Sequence, residues 1–146
     1  NLRVTTAFEE LTHGADGRRD PETKFHSDIF FNTHKAWLYL DDVTLAHGPL
    51  AYVKRSHLLH SRQLAATYKD SCGENQGSRR IPDKEIKQRG LAESFCTCPK
   101  NTLLVANTFG YHRRVQGRAG MQRLAVQISV RAHSPFRLLL PSFLTK

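Results

Sequence analysis

The stretch KFHSDIFF (residues 24–31) sets His26 and Asp28 two positions apart in a run rich in aromatic residues. In an extended strand alternate side chains share a face, so His26 and Asp28 project together with Lys24 and Phe30, while Phe25, Ser27, Ile29 and Phe31 face the other way. Burying an imidazole and a carboxylate among such neighbours costs free energy unless each is paired or bound to a metal. A divalent cation removes that cost. The pair alone is a weak signal: eight histidines, each followed two residues on by Asp with a probability of about one in twenty, give about 0.4 matches by chance. A facial triad for non-haem iron needs a third ligand, usually a histidine on another strand, and leaves positions open for co-substrate and oxygen. His112, in FGYHRRVQ, is the candidate.

Arg123 opens the alternating segment RLAVQISV. There Arg123, Ala125, Gln127 and Ser129 share one face, and Leu124, Val126, Ile128 and Val130 the other. If the polar face looks inward, Arg123 offers a planar two-pronged donor to a carboxylate inside a barrel, as a dicarboxylate co-substrate requires.

The elements that must hold these groups are short and β-like. KFHSDIFF, KAWLYLDD (35–42), PLAYVKR (49–55), SFCTC (94–98), NTLLVANTF (101–109), YHRRVQ (111–116) and MQRLAVQISVR (121–131) read as strands. The first three, crowded together and separated by turn-forming residues, suggest antiparallel hairpins. Residues 56–70 suit one short helix with Ser56 as its N-cap. Residues 71–93 read as a long polar insertion with one helical turn after Pro82, of the kind that often covers a site. Three regions result: an irregular segment over 1–23, a core over 24–131 and an apolar, proline-broken tail over 132–146. The chain's 146 residues fit one domain, and the pattern favours an all-β barrel or sandwich.

A formal net charge of +9 favours anionic partners without choosing among them. Cys72, Cys96 and Cys98 show neither a disulfide framework nor a zinc-knuckle spacing, which makes a reducing, cytoplasmic setting the default. No apolar run approaches the roughly 18 residues of a membrane helix. The N-terminus lacks a signal-peptide pattern, and opening on Asn1 suggests a processed, trimmed or partial product.

HSD (26–28), WLYLDDVTLAHGPLAYVKRSH (37–57), NTLLVANTFGYHRR (101–114) and Arg123 together resemble the phytanoyl-CoA dioxygenase family of iron(II)- and 2-oxoglutarate-dependent oxygenases. The resemblance runs in order over residues 24–131. It implies a double-stranded β-helix of the jelly-roll or cupin type, iron held by His26, Asp28 and His112, and Arg123 on the distal carboxylate of 2-oxoglutarate. It also suggests Trp37 as a lining residue of the co-substrate pocket. The implied reaction is hydroxylation of a small organic substrate with dioxygen, since related halogenases lack the carboxylate that Asp28 supplies. The basic balance hints at an acidic substrate such as a coenzyme A thioester. Where the family usually has Pro-Gly-Ser-His this chain has Lys54-Arg55-Ser56-His57, and Lys100-Asn101 replaces Gly-Asp, so both turns are expected to be reshaped. Ala125 stands where many relatives place a hydroxyl, so another donor is expected to help Arg123. Family chains are longer at the N-terminus, where helices and extra strands cover one sheet. Here the apolar row Leu124, Val126, Ile128 and Val130 needs a covering partner, a cover from the chain's own ends, or a missing portion of a larger protein.

Plainer readings stand beside these. Trp37 is the sole tryptophan and suits the core. The arginine doublets at 18–19, 79–80 and 113–114 read as solvated charge, and Cys96 and Cys98 as packing residues. The alternative function is a non-catalytic or truncated β-barrel that binds anionic ligands, or less readily nucleic acid, through its basic surface.

Overall fold

The computed structural model describes residues 2–12, 20–28, 33–58, 60–61, 63–66 and 78–132. Nine strands lie among them: β1 (Leu2–Thr12), β2 (His26–Ser27), β3 (Thr33–Tyr39), β4 (Leu50–Val53), β5 (Arg79–Arg80), β6 (Glu93–Phe95), β7 (Thr102–Asn107), β8 (His112–Arg114) and β9 (Gln122–Ala132). They form two antiparallel sheets, one ordered β1-β9-β3-β7 and the other β5-β2-β8-β4-β6. The fold is a double-stranded β-helix, as the resemblance implied. Consecutive strands do not pair as hairpins, contrary to the sequence expectation: β3 belongs to the first sheet, whereas β2 and β4 flank β8 in the second. The short crowded strands of the second region alternate between sheets, which is how this winding is built.

Alternation settles which side chains face in. On β9, Arg123, Ala125 and Ser129 are buried while Leu124, Val126, Ile128 and Val130 keep partial exposure. Trp37 and Tyr39 of β3 lie opposite Gln127 and Ala125 in register, so they share the inner face. There Trp37, Tyr39, Val43, Leu50 and Ala125 form one buried cluster, with Cys96 and Cys98 packed against it as expected.

The expectation of an irregular segment over 1–23 is corrected by β1, which pairs with β9 along its whole length. From Arg3 to Thr12 its side chains are exposed except at Glu9 and Leu11, which are half-buried, so there is little burial alternation to read, and the pairing edge of β9 makes them a strand. Residues 13–19 lie outside the described residues. Nor does β1 cover the apolar row. It widens the same face, with Val4, Phe8, Leu103 and Val105 all prominently exposed, Phe8 at 63%. Cys72 and residues 133–146 of the tail lie outside the described residues.

Ser56 is no N-cap. Among the described residues of 56–70 the helical ones are 61 and 63–66, and Ser56 is buried in the turn after β4, donating from Oγ to the Val53 carbonyl and accepting from the Tyr111 amide at 2.7 Å. Arg55 takes φ +67° in this turn and Asn101 φ +63° in the other departing turn. The described half of the 71–93 insertion contains β5 and the helix Asp83–Gln88 after Pro82. Ile81 and Ile86 pack on Val53 and Tyr111, with Phe25 and Leu91 beside them. By alternation Val53, Tyr111 and Phe25 point away from the face that carries His26 and His112, so this half buttresses the second sheet from outside.

Candidate metal centre and its cavity

His26 of β2 and His112 of β8 are direct register partners across the sheet, with ring centroids 4.3 Å apart. Each Nδ1 bonds the carbonyl oxygen two residues earlier, His26 to Lys24 and His112 to Gly110, both at 2.9 Å. That pins each ring and assigns the Nδ1 proton, leaving Nε2 for another partner. Asp28 follows β2 directly and is fixed by its amide, which donates to the Thr108 carbonyl at 2.8 Å. Donor atoms of His26, Asp28 and His112 all lie within 4.8 Å of one another, and all three residues are buried. Gly110 shapes this site by size: a Cβ there would sit 2.0 Å from the Tyr52 hydroxyl oxygen. Tyr52 in turn donates to the Asn107 carbonyl at 2.9 Å, so the chain entering His112 is clamped without room for a side chain.

The electrostatics suit a ligand set. Burial, reinforced by the neighbouring His26, pushes the His112 imidazole down to about 4, so it is neutral at neutral pH. Burial alone would raise the Asp28 carboxyl, but the Lys35 ammonium outweighs it and holds Asp28 below the ordinary carboxylate range. Lys35 Nζ lies 2.9 Å from Asp28 Oδ2. That contact is an ion pair outside hydrogen-bond geometry, since Oδ2 is a buried oxygen with no hydrogen-bond partner among the described residues. Glu22 Oε2 stands 3.0 Å from His26 Nε2. The hydrogen bond to His26, with Arg80 also contributing, draws Glu22 down to about 2 although burial opposes it.

A cavity of about 80 Å³ joins this end to Arg123; Glu9, His26, Lys35, Trp37, His112 and Arg114 are among its other lining residues. Arg123 is 4% exposed, donates to the Gly48 carbonyl and pairs with Glu9 Oε1 at 2.7 Å. Gly48 adopts φ +65°, the left-handed region that favours glycine, and thereby presents this carbonyl. Trp37 is a core residue and also lines this cavity.

All four polar residues singled out in the sequence meet here. Missed were Lys35, Glu22, Glu9 and Arg114. Lys35 was legible, because it lies two residues before inward-facing Trp37. Glu9 and Glu22 come from stretches with no period to read. Arg114 shares an inward face with His112, yet its doublet was read as solvated charge. That reading is corrected for Arg114, which pairs with Asp20 and Glu9, and for Arg79, which pairs with Glu85, both partly buried, while Arg113 with Glu93 and Arg80 with Glu22 form exposed ion pairs in keeping with it. A basic chain with few acids pairs those acids with whichever cations the fold brings near. The doublet at 18–19 lies outside the described residues.

No protein-family model matches this sequence, and no curated protein does. Solved structures share the fold at low identity. The non-heme alpha ketoglutarate dependent epimerase SnoN from nogalamycin biosynthesis aligns with TM-score 0.57 and 18% identity over 89% of this chain and 46% of its own. The alpha ketoglutarate dependent carbocyclase SnoK, from the same biosynthesis, aligns with TM-score 0.58 and 18% identity over 88% and 49%. HygX from Streptomyces hygroscopicus, with nickel and 2-oxoglutarate bound, gives TM-score 0.52 and 18% identity over 90% and 57%. This chain thus spans 46% to 57% of the length of these three proteins. No described helix is long and apolar enough to cross a membrane.

Proposed function

We propose that this chain forms the core of an iron(II)- and 2-oxoglutarate-dependent oxygenase of the phytanoyl-CoA dioxygenase type, hydroxylating a small organic substrate. One observation carries the reading: two buried imidazoles and a buried carboxylate converge within 4.8 Å, and a guanidinium lines the same cavity. The residues fit the metal. Both Nδ1 atoms are committed to backbone carbonyls, His112 is neutral, Asp28 Oδ2 is met by the Lys35 ion pair and by no other partner among the described residues, and His26 Nε2 would exchange its Glu22 contact for the metal. His26, Asp28 and His112 would hold iron through Nε2, a carboxylate oxygen and Nε2, leaving open positions. When bound, iron and 2-oxoglutarate supply the oxidising chemistry with dioxygen.

The chain's own residues set the geometry. Arg123 takes the far carboxylate of the co-substrate by charge-assisted hydrogen bonds, and the Trp37 ring packs along its carbon chain. Lys35 lends Asp28 positive charge that keeps it ionised as a ligand. Leu50 and Tyr39 close the cavity wall and exclude water. The biosynthetic neighbours extend the candidate chemistry, since SnoN and SnoK are named for epimerisation and carbocyclisation and not for hydroxylation. Retention of the aspartate ligand favours hydroxylation over halogenation. An acidic substrate, including a coenzyme A thioester, suits the net charge of +9.

The test is release of succinate from labelled 2-oxoglutarate with iron(II) across a substrate panel, with Asp28→Ala as control. Wild type should release succinate and the variant should not. Equal release from both would overturn the reading.

A further inference from the structure

Two guanidiniums, not one, converge at the end of the cavity remote from the triad. Arg123 Nη2 lies 2.7 Å from Glu9 Oε1, and Arg114 Nη2 lies 3.4 Å from the same oxygen. Arg114 is oriented by a second carboxylate, donating from Nη1 to Asp20 Oδ2 at 2.6 Å. Arg123 keeps one further donor in reserve: its Nε is buried with no hydrogen-bond partner among the described residues. A single carboxylate oxygen held between two forks marks a position built for a carboxylate, and the group standing there belongs to the protein itself.

We infer that Arg114 and Arg123 together form the seat for the distal carboxylate of the co-substrate, and that Glu9 occupies that seat until the co-substrate displaces it. The inference deepens the proposed function and rests on it for the identity of the ligand. Arg114 would then be the additional donor that Ala125 cannot supply. Space points the same way. Glu9 lines the cavity beside both arginines, so a carboxylate that reaches this end must take the place of the Glu9 carboxylate. Glu9 is also well placed to leave, because β1 is an edge strand hydrogen-bonded on one side only. Its departure leaves Arg114 with Asp20 and Arg123 with no acidic partner among the described residues, a surplus positive charge that matches one incoming carboxylate.

Trp37 is the sole tryptophan and lines this cavity, so its fluorescence reports occupancy directly, without turnover. Two probes are titrated: 2-oxoglutarate with Mn(II) replacing iron, and glutarate without metal. Glu9→Gln should lower the dissociation constant of both at least about fivefold, and adding Arg114→Gln should cancel that gain. Glu9→Asp, which keeps the charge but retracts it, should give a smaller gain and serves if Glu9→Gln unfolds. Arg114→Lys, which retains charge without the fork, should recover only part of the binding. Glu9 variants that bind both probes no more tightly than wild type overturn the inference. So does an Arg114→Gln change without effect in the Glu9→Gln background. If glutarate responds as expected while 2-oxoglutarate with Mn(II) gains nothing over glutarate in any variant, the carboxylate seat stands and the oxygenase reading fails. If 2-oxoglutarate binds with Mn(II) but is indifferent to Glu9 and Arg114, the oxygenase reading stands and the seat fails.

Discussion

The two faces of the second sheet bury similar residue types and treat them differently. On the outer face Tyr111 donates to Glu85, Arg79 grips Glu85 with both forks, and Arg89 donates to Tyr111 and Gln63 at 2.9 and 3.1 Å. That network is nearly closed and sits beside Val53, Ile81 and Ile86, so the face is organised for stability. On the inner side Asp28 Oδ2 has the Lys35 ion pair and no hydrogen bond among the described residues, Arg123 of the facing first sheet leaves Nε without a partner among them, and His112 is kept neutral by burial. Buried polar atoms left open are costly in a core and useful where a ligand completes them. The comparison separates residues that hold the sheet from residues whose polar atoms are left for the ligands of the proposed function.

The strongest way to break that comparison is Asp28→Ala. Removing one of three proposed ligands should cost more than about a thousandfold in co-substrate turnover, about 4 kcal/mol, while a melt of the metal-free protein shifts by less than that, since what is lost there is the ion pair with Lys35. A large loss of metal-free stability would place Asp28 with the structural groups.

Acid sharpens it next. The His112 imidazole falls from the ordinary 6.5 to about 4 in the folded protein, so between those values the unfolded chain binds more protons and stability rises with pH. The metal-free protein should hold this stability above about pH 6.5 and lose up to about 3 kcal/mol of it as pH falls to about 4. Urea midpoints measured across that range should flatten in His112→Gln.

On the outer face, Ile86→Ala should cost about 2 to 3 kcal/mol in chemical denaturation. Mn(II) affinity of the folded fraction should be unchanged, and a parallel loss of affinity would show the two faces to be coupled. The smallest effect is at the turn leading from β4. Arg55 holds φ +67°, a conformation that costs a side-chain-bearing residue about 1 kcal/mol, so Arg55→Gly should raise stability by about that amount in a thermal melt.

Much of the inner face was readable because a strand's period of two is local. It placed His26 with Asp28, and it put Arg123, Ala125 and Ser129 on the buried side of β9. The same rule, applied from Trp37, would have found Lys35. It failed where no face is consistently buried, as in β1, and where it was not weighed against the fold, as in Arg114. The insertion after residue 71 misled for another reason: its polar surface hides Ile81 and Ile86, two apolar residues that suffice to anchor it on the outer face.

The amino-acid sequence by itself determined the strand character and the grouping of side chains into shared rows, and it singled out His26, Asp28, His112 and Arg123, since these depend on residue type and on neighbours a few positions away. Tertiary structure alone decided which strands meet. His26 pairs with His112, and Arg123 meets Glu9, across separations of 86 and 114 residues. Such pairings follow from how whole edges complement one another after loop closure, a property of the assembled sheets that no local pattern encodes.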